Sequence, residues 1–369
     1  MKLLFWWSFF MVLWSYLGYV AVLWILTLIK AQPVVIGECH PAVSVLIAAH
    51  NEERTLQTKI DNLLELEYPR DRLQIVIVSD GSTDRTKEIL HANKDVVSSV
   101  ILDHAQGKAQ ALNEARKRAT GEILVFFDVR QRIALDAVSA LTSYFTDQSV
   151  GAVSGELLLD QGATTDKTSG LGVYWRLEKL IRKLESACGS VIGATGAIYA
   201  IRADLYTEIP RETILDDVFI PMNIARSGKR IVFCASAIAF DELSDVRGKE
   251  FSRKVRTLTG NYQLLDLQPW LLTGANPLRF RFVSHKLMRL AVPLFLCLML
   301  LASALEAGTI YRVAFWAQIS LYIAGLLGWI WPETGRLRPV AIASTFLMLN
   351  ASAVVAFYNF LLKRYRVWV

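Results

Sequence analysis

Asp80-Gly81-Ser82-Thr83-Asp84 follows the apolar run Leu73-Gln74-Ile75-Val76-Ile77-Val78, and one strand-helix unit earlier Ser44-Val45-Leu46-Ile47-Ala48-Ala49 ends in His50-Asn51-Glu52-Glu53. Polar and acidic clusters therefore fall where two buried strands would end. Ligands of an open α/β sheet bind outside the carboxyl ends of its parallel strands, so the two clusters mark the rim of one nucleotide-sized pocket. Asp80-Gly81-Ser82 would also serve as a turn and helix cap, which a strand-to-helix junction needs in any case. Asp128 closes a third apolar run, Ile123-Leu124-Val125-Phe126-Phe127. Further on, Arg253 and Arg256 would share one helix face and could grip a single anion, while Asp216-Asp217 could equally cap a helix running through Ile220 and Ile224.

The elements that must hold these residues are partly membrane-like. With 369 residues, 53% of them hydrophobic and 20% charged, the chain is too apolar for an ordinary soluble enzyme and too charged for a pure membrane bundle. Residues 5–29 carry no charge and exceed the roughly 20 residues that span a bilayer. Trp6, Trp7, Trp14, Tyr16, Tyr19 and Trp24 are aromatics of the interfacial kind. A cleavable leader is the rival reading, but the run is too long and lacks a small-residue cleavage site before Lys30, so residues 1–30 are expected to form a retained anchor. Three more apolar runs, 290–305, 313–331 and 340–362, define a C-terminal transmembrane region at 290–369. The first is short and must accommodate Glu306, which suits a tilted or oblique segment. Between the anchors lie a globular domain at 42–263 and a basic, aromatic stretch at 264–289, whose residues 278–287 could lie in the membrane interface.

Within the domain, strand and helix alternate. Residues 74–79 precede a helix from Thr83, 97–102 one from Lys108, and 123–127 one from Ala134. That order predicts an α/β fold with right-handed crossovers and a mainly parallel sheet. From Gly151 the pattern loosens, with a strand at 152–159. Cys39, Cys188, Cys234 and Cys297 have neither zinc nor disulfide spacing, which fits a reducing compartment. A net charge of +6 without a basic stripe argues against a nucleic-acid partner and is met by diphosphates and lipid headgroups.

Taken in order, His50-Asn51-Glu52-Glu53, Asp80-Gly81-Ser82-Thr83-Asp84, Gly107-Lys108-Ala109-Gln110-Ala111-Leu112-Asn113, Asp128, Asp216-Asp217 and Arg253-Lys254-Val255-Arg256 resemble the motifs of the membrane-bound family 2 glycosyltransferases. The resemblance covers about residues 43–263 and implies a GT-A catalytic domain, Rossmann-like with a mostly parallel sheet. One N-terminal and about three C-terminal spans match the polysaccharide-synthase-like branch.

The resemblance also implies roles. Asn51 and Glu52 would cradle the nucleoside, with His50, in place of the more usual Tyr, able to stack on the base. Asp80 would accept hydrogen bonds from base or ribose, and Lys108 would reach the nucleotide. The family has an Asp-x-Asp pair that holds a divalent cation; here Asp128-Val129-Arg130 puts a cation in the second place. Asp128 is then the expected ligand for Mg or Mn, with Arg130 pairing with phosphate or acting structurally. Asp217 matches the general base, and Asp216 would orient it or tune its pKa. Arg253 and Arg256 align with an element that contacts diphosphate and acceptor. Thr257 stands where that element has Trp, so Tyr262 or Trp270 would have to supply a ring for the acceptor. Gly193-Ala194-Thr195-Gly196-Ala197 resembles the loop lining the acceptor site, with Gly196 as a substrate-binding residue.

The expected protein is an inverting hexosyl- or N-acetylhexosaminyl-transferase that moves a sugar from a nucleotide-diphosphate sugar, expected to be a UDP-sugar, to a polysaccharide or glycolipid acceptor. Its partners would be these substrates, membrane lipids and export or synthase-complex subunits. A polyprenyl-phosphate sugar transferase shares the pocket and the spans, but Arg253-x-x-Arg256 and Asp216-Asp217 count against it. An inactive membrane scaffold of a polysaccharide export system would explain Asp-Val-Arg, and Asp217 with the arginines opposes it. The expected setting is a bacterial inner membrane with the catalytic domain in the cytosol. Four spans then leave Met1 and the tail outside, although Lys363, Arg364 and Arg366 favour a cytosolic tail; Arg336 and Arg338 partly balance them.

Overall fold

The structure, a computed structural model, describes residues 1–160, 170–242, 247–331, 333–334 and 337–365. Arg336 and Arg366, invoked above for topology, lie outside the described residues.

Eight strands form one sheet: β1 (Val43–Ala49), β2 (Leu73–Asp80), β3 (Ser98–Leu102), β4 (Ile123–Phe127), β5 (Arg132–Ile133), β6 (Val150–Asp160), β7 (Ile198–Arg202) and β8 (Arg230–Glu242). Their order is β3-β2-β1-β4-β7-β6-β8-β5. The half built by strand-helix alternation, β3-β2-β1-β4, is wholly parallel, as the pattern predicts. Beyond it β7 runs antiparallel to both β4 and β6, while β6 and β8 are parallel. Four of the seven pairings are parallel, so the sheet is mixed and mostly parallel.

Every residue of β1 is buried because both faces of the sheet are covered. Val45 and Ile47 enter one core with Leu56, Ile60 and Leu63 of the helix Leu56–Leu64. Leu46 and Ala48 enter the other with Ala109, Leu112 and Ala115 of the helix Lys108–Arg118. The helix expected from Lys108 begins there, whereas those expected from Thr83 and Ala134 start at Thr86 and Ala137.

Four helices are long and apolar enough to cross a membrane: Lys2–Ile29, Arg279–Leu305, Thr309–Ile330 and Arg338–Leu361. The second is longer than the apolar run suggests. From Arg279 onward, residues of the basic, aromatic segment 278–287 are continuous as helix with this candidate span. Here the chain meets two buried acidic residues, Glu178 and Glu185, of the helix Gly170–Ala187. His285 meets Glu178 at 3.3 Å and Glu185 at 3.1 Å, and Arg289 pairs with Glu178. Tyr19 of the first span donates to Glu185 at 2.5 Å, so that helix ties both spans to the sheet domain. At the far end, Lys2 lies 3.8 Å from Glu306, which accounts for the acidic residue at the close of the second span.

Gly81 turns the chain out of β2 with φ +61°, and a Cβ there would lie 2.1 Å from the Ala105 nitrogen. Because left-handed backbone and overpacking both penalise a side chain there, Gly81→Ala should cost about 3 kcal/mol of stability. Thermal unfolding of the full chain checks this; an unchanged melting temperature would mean that the 104–105 loop yields freely.

Candidate active site

The first two strand ends form one interlocked rim. Asn51 has φ +55°, a conformation Asn tolerates better than most residues. It places its side-chain oxygen 2.8 Å from the Thr83 N–H, while its own N–H reaches Ser82 Oγ at 3.1 Å. The Glu52 N–H donates to Thr86 Oγ1 at 2.9 Å, and His50 Nδ1 lies 2.6 Å from the Asp80 carbonyl oxygen. Asp80 itself is fully buried. Its two carboxylate oxygens accept the N–H groups of Gln106 and Gly107, each at 2.7 Å. In this arrangement the carboxylate holds the loop that launches the Lys108 helix, rather than standing open on the pocket rim.

Lys108 is where the halves of the chain converge. Its ammonium lies 2.9 Å from Asp128 Oδ1, at the end of β4, and 3.3 Å from Asp216 Oδ1, at the start of the helix Asp216–Arg226. Burial opposes the lysine's charge, but Asp128 and Asp216 more than offset it and hold the pKa above the ordinary lysine value. Asp216, only 4% exposed, also accepts a hydrogen bond from the Tyr199 hydroxyl at 3.2 Å. Tyr199 is fixed in turn by stacking on Phe126 at 4.4 Å.

Asp217 has a different environment. Its Oδ1 is buried without a hydrogen-bond partner among the described residues. Burial, reinforced by the adjacent Asp216 and opposed by Lys108 and Lys286, raises its pKa to about 6. The two neighbouring carboxylates thus differ in setting: Asp216 is held by a cation and a phenol, and Asp217 is poised to take a proton. The glycine loop closes on this group: a Cβ on Gly196 would lie 2.9 Å from Asp217 Oδ2, so a side chain there would crowd the carboxylate.

The structure thus brings Lys108, Asp128, Asp216, Asp217 and Gly196 together, with His50, Asn51, Glu52 and Asp80 in the interlocked rim. Arg130 is exposed on the turn after Asp128. Arg253 and Arg256 are half-buried on the helix Arg247–Leu267. The rings proposed to replace the missing Trp are engaged elsewhere: Tyr262 stacks on Phe360 at 5.6 Å, and the Arg226 guanidinium covers Trp270 at 4.9 Å. Sequence reasoning missed Tyr199, Lys59 and Arg182. Lys59 is buried beneath Phe127 and donates to the Gln131 carbonyl at 2.7 Å, which braces the turn carrying Asp128 and Arg130. Burial pulls its pKa down to about 7 despite Asp128. A charged residue among the apolar positions of the amphipathic helix Leu56–Leu64 was the available signal.

Among the described residues no group of three or more His, Cys, Asp or Glu is placed to hold a metal ion. The residues present do fit a cation that arrives with a diphosphate. Asp128, with 37% of its side chain exposed, offers one carboxylate, and magnesium and manganese sites commonly take their remaining ligands from phosphate and water.

Residues 44–209 match the Glycosyl transferase family 2 domain. The chain carries a family 2 glycosyltransferase domain. Across 236 residues it is 26% identical to the probable glycosyltransferase YdaM of Bacillus subtilis, covering 60% of this chain and 55% of that protein. It is also 26% identical to the beta-monoglucosyldiacylglycerol synthase of Synechocystis, over 66% of this chain and 54% of that one. Poly-beta-1,6-N-acetyl-D-glucosamine synthase of Staphylococcus aureus is 24% identical over 60% and 55% respectively. The chain therefore spans about half the length of the curated relatives it matches. Among solved structures, the mannosyltransferase PcManGT from Pyrobaculum calidifontis, in complex with GDP-Man and Mn2+, superposes with a TM-score of 0.75 at 21% identity. It covers 97% of this chain and 98% of its own, so the likeness in fold takes in the spans as well as the family 2 domain.

The raised pKa of Asp217 makes a stability prediction. The unfolded carboxyl ionises near 3.8 and the folded one near 6, so the fold bears the full cost of the buried charge above pH 6 and none of it below both values. Asp217→Asn should therefore melt higher than the parent at pH 8, and the gap should close as pH falls through 6 toward 4. Equal melting temperatures at pH 8 would show that the charge is well solvated.

Proposed function

We propose that the protein is an inverting glycosyltransferase that moves a hexosyl or N-acetylhexosaminyl group from a nucleotide-diphosphate sugar to a glycan or glycolipid acceptor at the membrane. The observation that carries this reading is Lys108 bridging Asp128 and Asp216 beside the high-pKa Asp217. It joins a nucleotide-type rim to a proton acceptor in one site.

In this mechanism the acceptor hydroxyl oxygen bonds to the anomeric carbon, the bond from that carbon to the diphosphate oxygen breaks on the opposite face, and the hydroxyl proton passes to Asp217. A base with a pKa near 6 is ionised at neutral pH yet basic enough to take that proton. Asp216, held by Lys108 and Tyr199, helps to raise the pKa of its neighbour. Asn51, Glu52 and the loop anchored by Asp80 shape the nucleoside end, and Gly196 keeps the approach to Asp217 narrow. Arg253, Arg256 and Arg130 are the cations available to the diphosphate. A divalent cation on Asp128, when bound, neutralises the leaving group. The first donor to test is a UDP-sugar, and the second is GDP-mannose, which the similarly folded PcManGT holds. The reading is set in a bacterial inner membrane with the domain on the cytosolic side, where sugar nucleotides are made, and it admits export or synthase-complex subunits as partners.

Purified full-length protein, incubated with a donor panel and membrane acceptors, should release nucleoside diphosphate and yield a product one sugar heavier. Loss of a general base costs on the order of 10²–10⁴-fold, so Asp217→Asn should drop transfer by that factor while nucleotide binding persists. For the parent enzyme kcat/KM should fall as pH drops below about 6. Normal turnover by the variant would remove Asp217 from the mechanism.

The cation is tested separately. Stringent chelation should abolish transfer, and Mn or Mg should restore it. Undiminished activity after chelation would leave the diphosphate to Arg130, Arg253 and Arg256 alone.

A further inference from the structure

Of three cations unused by this mechanism, Arg182 and Lys286 neighbour Asp217, and Lys254 neighbours both of them. Arg182 comes from the helix Gly170–Ala187, Lys254 from the helix Arg247–Leu267 and Lys286 from the span Arg279–Leu305. Arg182 donates to Thr195 Oγ1 at 2.5 Å, in the loop whose next residue, Gly196, closes on Asp217. Lys254 lies 4.7 Å over Tyr174 and 4.6 Å over Trp175, both on the helix that carries Arg182. Lys286 follows His285, whose ring reaches Glu178 and Glu185 of that same helix, and its electrostatic neighbours are Arg182, Asp217, Glu185 and Lys254.

Lys254 pairs with Glu250 at 3.7 Å, while Glu185 is hydrogen-bonded by Tyr19 and lies 3.1 Å from His285. Arg182 and Lys286 have no ion pair among the described residues, and both have Asp217 and Glu185 as electrostatic neighbours. Burial accordingly holds Arg182 and Lys254 below their ordinary pKa values. Charged groups in such a setting call for an anion that desolvates with them.

We propose that Arg182, Lys254 and Lys286 bind the phosphate of a lipid-borne acceptor and so hold its sugar hydroxyl against Asp217. The inference rests on the reading of Asp217 as the base. The anion is assigned to the acceptor because Lys286 lies on a candidate membrane span, whereas the nucleotide-type rim and Asp128 are built from residues before β5. A phosphate at Lys286 has its lipid tail beside the bilayer.

Binding can be read without any donor, so this test stands whether or not the transfer assay succeeds. Full-length protein in nanodiscs is titrated with farnesyl phosphate, farnesol and inorganic phosphate, and the shift in melting temperature is followed. Farnesyl phosphate should bind, farnesol and inorganic phosphate should each bind at least about tenfold more weakly, and Lys286→Met and Lys254→Met should each weaken farnesyl phosphate about tenfold. Lys286→Arg, which keeps the charge, should retain binding and serves as the folding control. Equal affinity of the Met variants overturns the site. Farnesol binding as tightly as its phosphate ester overturns the role of the anion, and equal binding of inorganic phosphate overturns the role of the lipid. Stoichiometric displacement by UDP or GDP would assign the cations to the donor and overturn the proposal as well.

Discussion

Two carboxylates side by side at the start of one buried helix repel each other, and the site depends on how that repulsion is resolved. Lys108 resolves it unequally. The ammonium sits 3.3 Å from Asp216 and 2.9 Å from Asp128, and the Tyr199 hydroxyl adds a second donor to Asp216. Asp217, left with a buried oxygen that has no hydrogen-bond partner among the described residues, absorbs the imbalance as a raised pKa. Being in the first turn of a helix favours ionised carboxylates, yet burial and the neighbouring charge outweigh the helix dipole here. A reactive group is thus created by leaving one member of a pair under-compensated.

The same economy governs how the sheet domain meets the spans. Helix Gly170–Ala187 presents Glu178, Arg182 and Glu185 at helical spacing, so their side chains share a face. That face receives Tyr19 from the first span and Arg281, His285 and Arg289 from the second. Buried ion pairs of this kind add little net stability, but they fix register and orientation, because each unpaired alternative is costly. The junction between the sheet domain and the candidate spans therefore also carries Arg182 to the Thr195 loop, and so to Asp217. Anchoring and active-site geometry are mechanically one structure.

Much of the parallel half of the sheet was legible because its physics is local. Apolar runs ending in Asp or Asn, followed by helical periodicity, can only become buried parallel strands with polar carboxyl ends. Spans were legible for the same reason, since uncharged length alone suffices. Asp80 shows the limit: its place at the end of β2 could be read, but which way its oxygens turn depends on the 106–107 backbone arriving from elsewhere. The contacts of residues 278–287 could not be read locally, because the acidic partners of His285 lie a hundred residues away in the chain. Strand β7 could not be placed because its two neighbours, β4 and β6, are chosen by the whole sheet.

What the sequence determined by itself was the inventory and its coarse positions: four apolar spans, a strand-helix domain, and Asp, Lys and Arg residues of the right types at strand and helix ends. These follow from periodicity and hydrophobicity, which act over a few turns of chain. Only the tertiary structure decided that Asp216 is the partner paired with Lys108 and Asp217 the one with a raised pKa, that Tyr262 and Trp270 are engaged elsewhere, and that Arg182 and Lys286 neighbour the same carboxylate. Ionisation and hydrogen bonding depend on distances of a few ångströms between residues far apart in the chain, and folding alone sets those distances.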